Sequence, residues 1–294
     1  MGQFLYRKIQ HAEKHNLGVS DPATCRYSLV NQLTLTGINI YPVKSCSGIS
    51  LNSVQLDCFG PRGDRRWALL DDKGVAITQR DEAQLALIKT QLLPDTLILR
   101  LREECIEVPF PGKGAQKCQL RVWADEVSAV DAGQEAATWL SQNLGRKCRL
   151  AYIPDDSIRL VDGHYASAGE TVGFADAFPI LLISQASLDD LNSRLETAVP
   201  MNRFRPNLVV SGCEPFAEDR WKRIRVGEVE FDLIKPCDRC VMPSIDQNTA
   251  ERDTKINRVL ASYRRRDGKI YFGQNLLYQK MGKLHLSSPI EVIE

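Results

Sequence analysis

Leu33-Thr-Leu-Thr-Gly-Ile-Asn-Ile40 sets apolar residues against polar ones in short steps, and the habit returns in Trp67-Ala-Leu-Leu70, Val75-Ala-Ile77, Thr96-Leu-Ile-Leu-Arg-Leu101 and Leu120-Arg-Val-Trp123. Successive side chains of a strand point to opposite sides, so a period near two marks strands with one buried face. The first half of the chain therefore reads as strand-rich. Two helices are expected within it. One covers residues 81–92, with Leu85, Ile88 and Leu92 on one face. The other follows Asp131, which forms a capping box with Gln134, presents Ala136, Trp139, Leu140 and Leu144, and stops at Gly145.

Working outward, a loop containing Pro154-Asp-Asp and Asp162-Gly-His-Tyr places a domain boundary near residues 150–165. Beyond it, Phe178-Pro-Ile-Leu-Leu-Ile183 reads as a buried strand, followed by a helix from Ser184 or Ser187 carrying Leu188, Leu191 and Leu195. Asn207-Leu-Val-Val-Ser211 is a further strand. Ile224-Arg-Val226 and Val229-Glu-Phe-Asp-Leu233 form a hairpin through Gly227-Glu228. The expected fold is mostly β (α+β): two β-barrel-like modules, residues 33–150 and 151–294, with a few short helices. Residues 1–32 read as an extension. Its His11 and His15 are spaced for one helix face, but no carboxylate or Cys stands near them, and they read as surface histidines rather than metal ligands.

Composition narrows the function. The 294 residues hold 38 Lys+Arg and 37 Asp+Glu, a net charge of +1. That near-neutrality argues against bulk electrostatic binding of nucleic acid or an anionic membrane. No run reaches the ~18 apolar residues of a membrane span, and the N-terminus shows no apolar export segment. The nine Cys are an odd count, scattered through apolar strings, which suggests reduced thiols and a cytoplasmic location rather than a disulfide framework.

Lys235-Pro-Cys-Asp-Arg-Cys-Val-Met-Pro243 is the sharpest local feature, with two thiols three residues apart after a strand. Three readings stand side by side: half of a zinc site completed by Cys213 and His285, a redox dithiol, or two buried small hydrophobes. Far away in sequence, Ile40-Tyr-Pro-Val-Lys-Ser-Cys-Ser-Gly48 runs a strand into a small-residue loop with one Lys, a pattern suited to cradling an anion with N–H groups and a point charge. Asp64-Arg-Arg-Trp67 and Arg203-Phe-Arg-Pro-Asn207 add guanidinium groups ahead of strands.

These islands, together with Ala217-Glu-Asp-Arg-Trp221 and Phe272-Gly-Gln-Asn275, resemble in their order the MOSC proteins that carry an N-terminal MOSC β-barrel module, the mitochondrial amidoxime-reducing component and its bacterial relatives among them. The resemblance runs from about Leu33 to Val292. It implies a molybdenum pterin cofactor whose metal is held by Cys240, the second Cys of the pair. It also implies that Lys44, Ser45, Arg65, Arg205, Asn207, Asp238, Arg239 and Asn275 line the cofactor. Two positions depart from the mitochondrial relative: Asp238 stands where it has Ser and Asn275 where it has Tyr, and Asp176-Ala-Phe178 lacks its small hydroxyl residues. The implied activity is reduction of N-hydroxylated compounds such as amidoximes, hydroxylamines and N-hydroxylated bases. The alternative is a cofactor carrier or a sulfur-transfer protein using Cys240. Some bacterial relatives continue into a ferredoxin domain, but these 294 residues hold neither its Cys-x4-Cys-x2-Cys spacing nor a Gly-x-Gly-x-x-Gly. Electrons are therefore expected from a separate donor protein of ferredoxin, flavoprotein or cytochrome type.

Overall fold

Strand Thr34–Ile40 keeps the alternation of its sequence with one interruption. Leu35 is buried, and then Ile38 and Ile40, so the inward phase changes between them. The register against strand Leu208–Ser211 shifts at the same place, between Leu35 and Gly37. One extra residue here resets which face is buried, as a β-bulge does. Gly37 permits the close approach, since a Cβ there would stand 3.0 Å from Val209 Cβ. This geometry comes from a computed structural model that describes residues 32–166 and 169–294. His11 and His15 lie outside the described residues.

The chain is mostly β, with two curled sheet systems, and the larger one takes Thr34–Ile40 and Ile49–Ser50 from the segment expected to form the first module. A nine-stranded sheet runs in the order Ile290–Val292, Arg223–Val226, Val229–Asp238, Lys269–Leu277, Ile180–Ser184, Leu208–Ser211, Thr34–Ile40 and Ile49–Ser50, with Arg265–Arg266 added beside Lys269–Leu277. Its one parallel pair joins Ile180–Ser184 to Leu208–Ser211. Parallel neighbours need a crossover, and helix Gln185–Ser193 supplies it, with the Ser184 side chain accepting from the Ser187 N–H at its start. A four-stranded sheet of Trp67–Leu70, Arg149–Tyr152, Asp125–Asp131 and Lys117–Val122 and a three-stranded sheet of Lys89–Leu92, Thr96–Leu101 and Glu104–Pro109 build the other system. Trp67 is fully buried at its centre, 4.7 Å from the Tyr152 ring, and packs with Leu97, Leu99, Leu140 and Leu150. The large sheet has its own core around Phe231, Leu182, Leu208 and Leu276.

Several elements differ from the sequence reading. The helix expected over 81–92 is a 3-10 turn, Ala83–Leu87, followed directly by strand Lys89–Leu92. Leu85 and Ile88 are buried as expected. The chain turns extended, however, because Lys89–Leu92 finds a partner in Thr96–Leu101, and pairing of that kind overrides local periodicity. Asp131 is not a helix cap. It ends its strand, accepts from the Gly133 N–H at 2.7 Å and pairs with Arg149 at 2.5 Å, while Gln134 is the first residue of helix Gln134–Leu144. Gly145 does end that helix, at φ 64°. Val75 and Ala76 make isolated bridges rather than a strand. Trp123 lies past its strand, in the turn between Val122 and Asp125. Strand Val229–Asp238 continues through Cys237 instead of stopping before the Cys pair. Helix Lys255–Tyr263, which buries Ile256 and Leu260, was not expected at all.

Candidate functional site

Each motif in which the anion cradle and the guanidinium groups were read sits where backbone geometry is unusual. Of the nine non-glycine residues with positive φ among the described residues, Ser45 (69°), Arg65 (44°), Trp123 (58°) and Arg205 (56°) border a single cleft of about 620 Å³. Such conformations cost roughly 1–3 kcal/mol each and persist where surrounding contacts enforce them. Here the contacts are explicit. The Arg65 N–H donates to Tyr41 O at 2.8 Å, and the Arg65 carbonyl accepts from the Phe174 N–H at 2.7 Å. Tyr41 N–H donates to Asp64 Oδ1 at 2.7 Å. Gln79 Nε2 donates to Ser45 O at 2.6 Å and takes part in a reciprocal amide pair with Gln247, both residues buried.

The cleft gathers all nine residues named from the sequence, including Cys240, from positions spread over most of the chain. Arg65 and Arg205 place their guanidinium carbons 4.4 and 4.1 Å from the centroid of one ring, Tyr41. Arg65 pairs with Asp64 at 2.6 Å. Arg205 has no carboxylate of its own; it donates through Nη1 to Cys46 O at 2.7 Å, and its buried Nη2 has no partner. Burial, with the like charge of Arg65, lowers the Arg205 guanidinium to about 10. Asn207 spends its amide inward, donating to Asn39 O and accepting from Arg65 and the Leu181 N–H, so it positions Arg65. Arg239 donates to Phe204 O at 2.8 Å and Cys237 Sγ at 3.1 Å. Asp238 faces Lys269 at 3.2 Å, which offsets the negative charge it brings to the rim. Asn275 lies half-buried on strand Lys269–Leu277, opposite Lys235 in register.

The two thiols of the Cys pair differ sharply. Cys237 sits on the strand, and burial pushes its thiol up. Cys240 is exposed in the cleft, and its Sγ accepts from Arg80 Nη2 at 3.3 Å and the Met242 N–H at 3.5 Å. Among the described residues no group of three His, Cys, Asp or Glu could hold a metal ion by itself. Cys213 and His285 do not border the cleft.

Arg80, Asp176, Lys235 and Trp123 also border the cleft and were not assigned from sequence. Asp176 takes Lys44 Nζ at 2.5 Å and Arg80 Nη2 at 2.8 Å. Burial pushes its carboxyl up, but Lys44 and Arg80 outweigh that and hold it well below the usual carboxylate range. A depressed folded-state value stabilises the fold above the unfolded value of about 4, and that contribution fades as pH falls through the folded one. Asp176→Asn is accordingly expected to lower the urea midpoint at pH 7, with the gap to wild type narrowing below about pH 4. A gap that stays constant to pH 2 would show that the ion pairs contribute nothing. No sequence signal marked Arg80, which lies in an ordinary Thr78-Gln79-Arg80-Asp81 turn.

Comparison with known proteins places this cleft in context. The MOSC domain model matches residues 169–291, and the MOSC N-terminal beta barrel domain model matches residues 32–147. The chain is 33% identical over 280 residues to mitochondrial amidoxime-reducing component 1 of Mus musculus, covering 88% of this chain and 82% of that protein. It is 32% identical to the Homo sapiens protein of the same name, covering 92% and 86%. It is also 35% identical over 277 residues to molybdenum cofactor sulfurase of Oryza sativa subsp. japonica, covering 85% of this chain but 33% of that protein. Among the described residues no helix is long and apolar enough to cross a membrane.

Proposed function

The chain belongs to the MOSC family, in the group that carries the MOSC N-terminal beta barrel domain, and on that premise we propose that it is a molybdenum-cofactor oxidoreductase reducing N-hydroxylated compounds. The observation that carries the reading is the pairing of an exposed thiol, Cys240, with a buried guanidinium that has no counter-charge, Arg205, in the same cleft. A phosphate and the polar edges of a pterin fit that deficit, because guanidinium forks match planar acceptors. The orphaned Arg205 Nη2 is the donor that such a group would satisfy.

In this reading Cys240 Sγ is the protein's thiolate to molybdenum, a soft donor of the kind that metal accepts in a sulfur-rich site. When bound, the cofactor supplies the two electrons that, with two protons, convert an N–OH group to N–H and water. The protein holds and orients. Arg80 and the Met242 N–H fix the sulfur through hydrogen bonds. Arg205, buried and without a carboxylate partner, provides a cation that needs no reorganisation when an anion arrives, while Lys44 holds Asp176 in place. Arg65 is aimed by Asp64 and Asn207.

The test is the metal and pterin content of protein from a cofactor-competent host, with turnover of an amidoxime. About one molybdenum per chain and no stoichiometric zinc are expected; zinc without molybdenum ends the reading. The sulfurase relatives and the exposed Cys240 support a second reading, a sulfur-transfer protein. It gains ground if sulfane sulfur is found on Cys240 and no reduction is seen.

Arg205→Lys keeps the charge but loses the fork. Charge-assisted hydrogen bonds are worth roughly 1.5–3 kcal/mol, so cofactor retention after exhaustive dialysis is expected to fall about tenfold or more. Unchanged molybdenum content would show that Arg205 serves only the loop around Cys46.

A further inference from the structure

Trp123 is an anomaly on three counts. It is 62% exposed, although large aromatic side chains usually bury most of their area. It occupies a two-residue hairpin turn at φ 58°, a place that favours Gly or Asn. And among the residues bordering the cleft it is the one aromatic ring left open, since Phe178 and Phe204 are buried. Neither packing nor turn chemistry accounts for an indole at this position. Strain of this kind points toward function.

Its place in the cleft says which function. The Arg80 guanidinium carbon lies 4.8 Å from the Trp123 ring centroid, and Arg80 Nη2 lies 3.3 Å from Cys240 Sγ. Asp176 holds the same guanidinium at 2.8 Å, so the indole is braced on one side by a fixed group. The Arg80 guanidinium therefore reaches both the indole and the Cys240 sulfur, and the open part of the indole borders the same cleft as that sulfur. The remaining walls mix cations such as Lys235 and Arg239 with small or flexible apolar side chains such as Ala177, Leu181 and Met242, and none of them presents another open aromatic face.

Building on the reductase reading, we infer that Trp123 is the stacking platform of the substrate subsite and selects N-hydroxylated substrates whose nitrogen is conjugated to a flat aromatic ring over aliphatic hydroxylamines. Stacking of a base or arene on an exposed aromatic side chain commonly changes affinity about tenfold. Trp123 acts on binding alone; it takes no part in the proton or electron steps.

The experiment compares benzamidoxime with an N-alkylhydroxylamine in the holoenzyme, with reduced viologen as donor. Trp123→Ala is expected to lower the aromatic-over-aliphatic ratio of kcat/KM about tenfold, with the loss falling on KM, and Trp123→Phe to recover most of it. An unchanged ratio overturns the inference. A binding measurement separates this failure from that of the reductase reading. Benzamidoxime added without donor is expected to quench indole emission in wild type and not in Trp123→Phe. If wild type turns over neither substrate, the reductase reading falls and the quench alone decides the platform; equal quenching of the two proteins overturns it.

Discussion

Cys240→Ser is expected to abolish turnover and to strip molybdenum from the purified protein while leaving the fold intact. A hydroxyl is a harder and far less acidic donor than a thiol, so it cannot stand in for a thiolate on molybdenum. The sulfur is exposed, and its two hydrogen-bond donors, Arg80 and the Met242 N–H, belong to the cleft rather than to a core. Thermal unfolding of the cofactor-free variant should therefore match wild type. Cys237→Ser is expected to be much milder, because burial pushes that thiol up and its sulfur is engaged by Arg239 Nη1. Metal analysis and amidoxime turnover of both variants check this. Equal losses would favour a mechanism in which the two sulfurs act together.

The second large effect concerns electrons. The purified chain is expected to reduce an amidoxime with a chemical one-electron donor such as reduced viologen and to show no turnover with NADH or NADPH alone. The 294 residues contain no Gly-x-Gly-x-x-Gly and no ferredoxin cysteine spacing. The cleft that holds Cys240 opens to the surface at Trp123, Asp238 and Lys269, so a small donor can reach it. Sustained NADH-driven turnover by flavin-free protein would refute the need for a separate donor.

What could be read from sequence divides along a physical line. Strands such as Thr34–Ile40 and Lys117–Val122 were legible because one buried face imposes a period of two, whereas Thr96–Leu101 buries three successive residues, Leu97 to Leu99, and was legible from its apolar run. The segment 81–92 was misread because its apolar spacing fits a helix while its strand partner lies beyond it in the chain. Helix Lys255–Tyr263 carried a usable signal in Ile256, Val259, Leu260 and Tyr263, at helical spacing, but polar neighbours hid it. In the cleft, Lys44, Arg65, Arg205 and Cys240 could be grouped only through the order of whole motifs. Singly, each is an ordinary polar residue in a turn. Arg80 and Asp176 had no such help. Their importance is a matter of who meets whom across the fold, and local sequence holds no record of that.

The pairing of strand Thr34–Ile40 with Leu208–Ser211 has a consequence for how the protein is made. Thr36 and Val209, bonded neighbours across that pair, are 173 positions apart. At a synthesis rate of roughly 5–20 residues per second, the early strand waits about 10–35 s for its partner to leave the ribosome. Leu35 also donates its N–H to Ser288 O, which emerges later still. Lys44 and Ser45 hang from the waiting strand, and Arg205 from the late one. A nascent chain thus has no cradle to offer, and any anionic ligand of the cleft can be held only once both segments are made. In the interval the unpaired edge of Thr34–Ile40 is a template for wrong partners.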